Sequence, residues 1–250
     1  MVNFEPARLS RGQCVSMKSK ALTGTERRQA SFEKAKNKRR DDIIAAAENL
    51  IRATGSTDFS MRELAEAAGI SPYTTYNLIG TKSTVLFILL NQSIDKIILQ
   101  KSEGQTHTDP VEGVFAAGST IADVFDSDAQ FYRPLMRHLL GVLDPVHRPQ
   151  YMKRAYEYWL AVFEPLAVIQ ESCGGVSATT LARTVQVYMT GTLDYWVHDE
   201  VSGTELRDQI KLGLALCLKS QNVPGWTERL DAIIQEVDPA VMRVGARMLA

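Results

Sequence analysis

From Arg39 to Met248 the apolar residues of this chain recur at helical spacing, and that periodicity excludes most folds. Ile43, Ile44, Ala47, Leu50 and Ile51 share one helical face, and the run stops at Gly55. Ser60 with Glu63 three residues on is a capping-box signature opening a second helix, which Gly69 ends. Ser71 caps a short segment over Pro72 to Ile79, with proline at the first helical position, where its missing N–H costs nothing. A longer helix starts at Lys82 with Val85, Leu86, Leu89, Leu90, Ile94, Ile97 and Ile98 on its apolar positions. Further helices are expected at 111–125, 131–143, 151–173, 179–198, 205–219 and 226–248. Breaks such as Asp144-Pro145, Gly174-Gly175 and Pro224-Gly225 separate them, and Asp238-Pro239 is expected to kink or divide the last. Strand patterning is poor throughout, so the fold class is all-α.

A chain of 250 residues with 45% hydrophobic and 23% charged content can bury a core without metal or disulfide. Cys14, Cys173 and Cys217 are few and widely spaced, which fits a reducing cytoplasm and leaves no zinc pattern. The longest apolar run of the first half, Val85 to Leu90, falls far short of the roughly 20 residues that span a bilayer, so no membrane role and a cytoplasmic location are expected.

The net charge of -1 conceals a division. Residues 1–40 hold eleven basic and three acidic side chains, whereas the remainder holds 17 basic and 26 acidic. A basic end on an acidic body suggests polyanion binding, and residues 1–37 read as a basic flexible arm, since they lack periodic apolar positions. The domains expected beyond it are 38–83 and 84–250.

The segment Ser60 to Ile79 has the plan of a helix-turn-helix. Ala65 sits where two helices cross closely, Gly69 supplies a turn that favours positive φ, and Leu64, Ala68, Ile70 and Leu78 set the angle between them. Across about 45 residues, "IIAAAENLIRATG" followed by "FSMRELAEAAGISPYTTYNLIGTKSTVL" resembles the TetR family of transcriptional regulators. Gly69, Ile70, Ser71, Thr74, Tyr76 and Lys82 fall in register with that family's pattern. Ile79 replaces its usual phenylalanine, and Thr75 stands where a larger apolar residue is common.

The resemblance implies a three-helix DNA-binding domain joined to a larger helical domain for ligand binding and dimerisation. Candidate DNA contacts are Arg39, Arg40, Ser60, Arg62, Ser71, Pro72, Tyr73, Thr74, Tyr76, Asn77 and Lys82. Among these, Pro72, Tyr73, Thr74 and Asn77 would meet bases, since Asn can bond adenine bidentately and Thr or Tyr can lie on thymine methyls. Tyr76, Lys82, Ser60 and Arg62 would meet phosphates. Residues 41–82 are acidic on balance, so Lys36, Lys38, Arg39 and Arg40 are expected to supply much of the electrostatic attraction.

The expected partners are double-stranded DNA with a near-palindromic operator, a small-molecule effector and a second copy of the chain. The helices at 179–198 and 205–219 are candidates for the homodimer. Their apolar positions Val185, Met189, Leu193, Ile210, Leu214 and Leu218 serve equally well as intrachain core.

An effector site needs apolar walls and a few polar anchors. Tyr132, Met136, His138, Tyr156, Trp159, Phe163, Gln186 and Met189 are the candidates, with Arg133 a further polar anchor. No cofactor is expected. A helical enzyme and a ligand-independent DNA-binding protein are the alternatives. Against the enzyme, the four histidines form no HExxH motif, and neither a GxSxG elbow nor a phosphate loop is present. Asp194 and His198 share a helical face, but two ligands do not define a metal site.

Overall fold

The computed structural model describes residues 24–103, 109–166 and 175–249. Those residues form ten α-helices and a short 3-10 turn, with no strand among them. The first helix is α1 (Gly24–Thr54), followed by α2 (Met61–Ala67), α3 (Pro72–Ile79) and α4 (Lys82–Glu103). Then come α5 (Pro110–Asp126), α6 (Ala129–Gly141), α7 (His147–Phe163), α8 (Ala178–Val197), α9 (Gly203–Lys219) and α10 (Thr227–Met248).

Internal contacts divide the chain after Lys38. In the first unit, residues 24–38 are helical, and from Thr25 onward every side chain is exposed. This differs from the flexible arm expected through residue 37. The stretch is rich in Lys, Arg, Glu, Gln and Ala and contains no proline, so propensity favours helix although no apolar face calls for one. Its earlier part, including Cys14, lies outside the described residues.

The second unit contains everything from Arg39 onward. Its local signals match the sequence closely at the helix starts. Ser177 and Ser202 each accept a bond from the backbone N–H three residues on, and the Glu205 carboxylate accepts the Ser202 amide in return. Two helix expectations differ from the structure. The seventh helix begins at His147 instead of Tyr151, because the Asp144 carboxylate accepts the Val146 and His147 amides at 3.0 and 2.8 Å. It also ends at Phe163, since Pro165 disfavours helical geometry in the residue before it, and the chain tightens into the 3-10 turn at Glu164–Leu166. The helix expected at 167–173, including Cys173, lies outside the described residues. Pro239 does not split the chain into two helices, for α10 is continuous through it.

Helix α9 is the centre of the larger half, in contact with α5, α8 and α10. Gly118 permits the approach of α5: a Cβ there would stand 2.5 Å from Leu214 Cδ1. Val185, Met189, Leu193, Ile210, Leu214 and Leu218 are all buried within one chain, which makes them intrachain core. Ion pairs tie the outer surfaces, Arg207 to Asp123 and Asp126 at 2.9 and 3.1 Å, and Lys211 to Glu236 at 2.7 Å. The smaller half is fastened to α6 through Arg52. That side chain pairs with Asp128, its guanidinium lies 4.4 Å from the Phe131 ring centroid, and its carbonyl accepts from Gln130 at 2.9 Å.

Candidate nucleic-acid interface and ligand cavity

The turn between α2 and α3 is fixed from both sides. The Ser60 hydroxyl accepts the Glu63 amide at 3.1 Å, and the Glu63 carboxylate accepts the Ser60 amide at 2.7 Å. These bonds to Ser60 hold the Glu63 carboxyl below its ordinary pKa. Gly69 adopts φ +65°, while the Ile70 amide bonds the Ala65 carbonyl at 2.9 Å. Ala65 and Leu64 are fully buried at the crossing. At the start of α3 the Ser71 hydroxyl accepts the Thr74 amide at 3.2 Å and lies 2.8 Å from the Thr74 hydroxyl.

This anchoring leaves one face of α3 outward. Tyr73 is 77% exposed and Tyr76 53%, although aromatic rings usually bury. Pro72 and Asn77 are exposed beside them. Thr74 is only half-buried, and its hydroxyl already has Ser71 as a partner, so it presents less than its neighbours. The two departures from the family pattern face inward. Thr75 is fully buried with its hydroxyl donating to the Ser71 carbonyl at 3.1 Å, and Ile79 is buried too.

Ser60, Arg62, Ser71, Arg39 and Arg40 are exposed. Lys82 is half-buried with its ammonium 5.1 Å from the Phe59 ring centroid, an aromatic seat that the sequence does not announce. Arg52, the other cation of this half, is engaged with Glu48 and Asp128.

In the larger half, α4 to α8 enclose a cavity of about 60 Å³. Met136, Trp159, Gln186 and Met189 of the expected set line it. Tyr132, His138, Tyr156 and Phe163 do not. Tyr132 packs edge-on against Phe125 and Phe131, and Phe163 is fully buried behind Trp159 with ring centroids 6.0 Å apart. Tyr156 is a half-buried flank of the core. His138 borders a separate gap with Ser83, Phe87 and His147, where burial and the nearby Lys82 lower its pKa. Arg133 is also elsewhere, paired with Asp199 over the Trp196 ring.

The wall includes residues beyond the expected set: Ile94 and Ile97 from α4, and Tyr151 and Tyr158 from α7. The signal for the last two exists, because Tyr151, Met152, Ala155, Tyr158 and Trp159 fall on one helical face, but among so many large residues it does not stand out.

No protein-family model matches the chain, and a search of curated proteins found no match. Solved structures do match. A protein described as a TetR-family transcriptional regulator from Syntrophomonas wolfei aligns over 74% of this chain and 95% of its own, at 19% identity and TM-score 0.59. FadR of Thermus thermophilus, a TetR-family repressor solved with lauroyl-CoA, aligns over 72% and 94% at 21% identity and TM-score 0.56. SmeT, the repressor of a Stenotrophomonas maltophilia multidrug efflux pump, aligns over 75% and 95% at 18% identity and TM-score 0.55. The fold is therefore that of helix-turn-helix proteins with an attached helical domain. More narrowly, it is the fold of the TetR-family regulators.

Proposed function

We propose that this protein is a DNA-binding transcriptional repressor that acts as a homodimer and leaves its operator when a small, mainly apolar effector fills the cavity. The observation that carries the reading is the outward face of α3. Tyr73 and Asn77 stand exposed, with Tyr76 beside them, on a short helix whose turn and caps are over-determined, an arrangement suited to reading base edges in a major groove. Arg39, Arg40, Lys82, Arg62, Ser60 and Tyr76 are assigned to phosphates, with the basic side chains of residues 24–38 adding attraction that fades with salt.

One such helix offers too few base contacts to select a site in a genome, so two copies on a near-palindrome are required. Apolar side chains left outward on the larger half, Val187 and Tyr195 of α8 and Leu216 of α9, mark where the second copy is sought. Effector control follows from α4: Ile94 and Ile97 face the cavity while its first residue, Lys82, stands by Phe59 in the smaller half. A ligand that enlarges the cavity pushes on this helix and favours a different spacing of the reading helices. The relative bound to lauroyl-CoA supports an apolar effector in general terms.

The test is selection of duplexes from a random pool by the full chain, followed by mobility shifts with competitor. Enrichment of a two-fold symmetric site bound by a dimer is the expected result. Equal affinity for selected and random duplexes refutes the proposal.

A further inference from the structure

The cavity wall carries no charged side chain. Its polar atoms are nearly all engaged by the protein itself. The Gln186 amide donates to the Met152 carbonyl at 2.5 Å and accepts from Arg183 at 2.8 Å, so both of its ends are taken. The Thr190 hydroxyl donates to the Gln186 carbonyl at 2.8 Å, and the Tyr158 hydroxyl to the Ala117 carbonyl at 3.0 Å.

Tyr151 is held more loosely. Its hydroxyl is buried and donates to the Met136 sulfur at 3.7 Å, and a thioether is a weak acceptor. The neighbouring Ser93 hydroxyl donates to the Leu90 carbonyl at 2.6 Å and also hydrogen-bonds the Tyr151 hydroxyl. Set between a thioether and a serine hydroxyl, the phenol can turn its proton to an oxygen acceptor placed in the cavity, which Tyr151 and Met136 both line.

We propose that the cavity takes an uncharged, mainly apolar molecule bearing a hydrogen-bond acceptor of the ketone, ester or ether kind, which the Tyr151 hydroxyl engages. This rests on the reading of the cavity as the sensor and names the chemistry of what it senses. Burial pushes the Tyr151 phenol up to about 12, so it remains a donor and offers no phenolate to a cation. A carboxylate inside would lack a counter-charge, at a large desolvation cost. The nearby cations do not line the space: Lys101 lies 5.4 Å from the Tyr158 ring centroid, Arg183 holds Gln186, and Arg154, whose charge reaches the Tyr151 phenol, is bonded to Asn91 and Asp95.

At about 60 Å³ the cavity is well below the roughly 300–1,000 Å³ of most ligand pockets. Met136, Met152 and Met189 supply the adaptable wall that lets it open.

The experiment titrates the full chain with three probes of equal chain length, 2-octanone, octanoate and octylamine, by calorimetry and thermal shift. Binding of 2-octanone at least about tenfold tighter than either charged probe is expected. Tyr151→Phe weakens 2-octanone by about tenfold while leaving the charged probes unchanged. Met136→Leu, which removes the sulfur acceptor and nearly keeps the volume, preserves or tightens the ketone, so the prediction survives should Tyr151→Phe fail to fold.

Octanoate or octylamine binding as well as the ketone overturns the inference. So does an unchanged ketone affinity in Tyr151→Phe, a weakened one in Met136→Leu, or no binding of 2-octanone at all. Mobility shifts on the same preparations separate the two readings: DNA selectivity without ketone binding sinks this inference alone, and ketone binding without DNA selectivity sinks only the repressor.

Discussion

The outward face of α3 and the cavity among α4 to α8 use polar groups in opposite ways. On α3 the caps and turn are satisfied locally, and the remaining side chains point at solvent with Tyr73 and Tyr76 exposed. Around the cavity the polar atoms bond one another across helices, and the surface left over is apolar. The first arrangement suits a hydrated, charged partner that is read by edges. The second suits a small partner that must leave water to enter.

The largest test of this contrast concerns Phe163, placed in the ligand wall by its sequence and in the solid core by the structure. Phe163→Ala is expected to lower unfolding stability by about 3–5 kcal/mol in denaturant melts, as loss of a fully buried ring does. A wild-type melt for this variant would place the ring at a yielding boundary and blur the line between core and cavity.

Tyr73→Ala and Asn77→Ala should do the reverse. Each is expected to lose about 1–3 kcal/mol of discrimination between operator and random duplex, with melting unchanged because both side chains are exposed. Unaltered discrimination in both variants would leave α3 without a reading face.

Gly69→Ala sharpens the comparison from the backbone. Nothing lies within 4 Å of the added carbon, so the cost is that of holding φ +65° alone, about 1–2 kcal/mol. Operator affinity is expected to fall with it, since the turn sets the pose of α3, whereas ligand affinity at the cavity should not.

The smallest effect is acid-dependent and belongs to the larger half. The Arg247 guanidinium and the Ser202 amide hold the Glu205 carboxyl down at about 2, against an ordinary 4.5. A depressed folded-state value contributes stability above the unfolded value, and that contribution disappears as pH falls from about 4.5 to about 2. Wild type should therefore lose its advantage over Glu205→Gln across that window. The gap should be a fraction of a kcal/mol, because the pair is partly solvated. A gap that persists at pH 2 would assign the contact to packing.

Legibility in the sequence divides along the same line. Ser60, Glu63, Gly69, Ser71 and Pro72 act within a few residues of themselves, so the chemistry of each announces its geometry. The cavity draws its lining from five helices, and whether Trp159 or Phe163, four residues apart, faces the space depends on neighbours remote in sequence. Periodicity places both on one face and cannot rank their depth. Likewise α10 is legible as a helix, but its packing along α9 is a tertiary choice. The early start of α7 is obscured because Asp144-Pro145 has the composition of a break, whereas the Asp144 side chain caps the first turn of that helix.

The bond between Arg52 and α6 has a mechanical corollary. From Arg39 onward the residues cluster as one compact unit, and within it Arg52 couples the helix-turn-helix half to the start of α6. Under the proposed function, a push on α4 from a filled cavity is passed to the smaller half through Arg52 as well as along α4 itself. In the proposed two-fold pair the symmetry repeats each shift, so the gap between the two α3 helices would change by up to twice the single displacement. On the proposed reading, half-sites separated by a fixed helical turn of DNA would tolerate little of that mismatch, and release would follow from misfit.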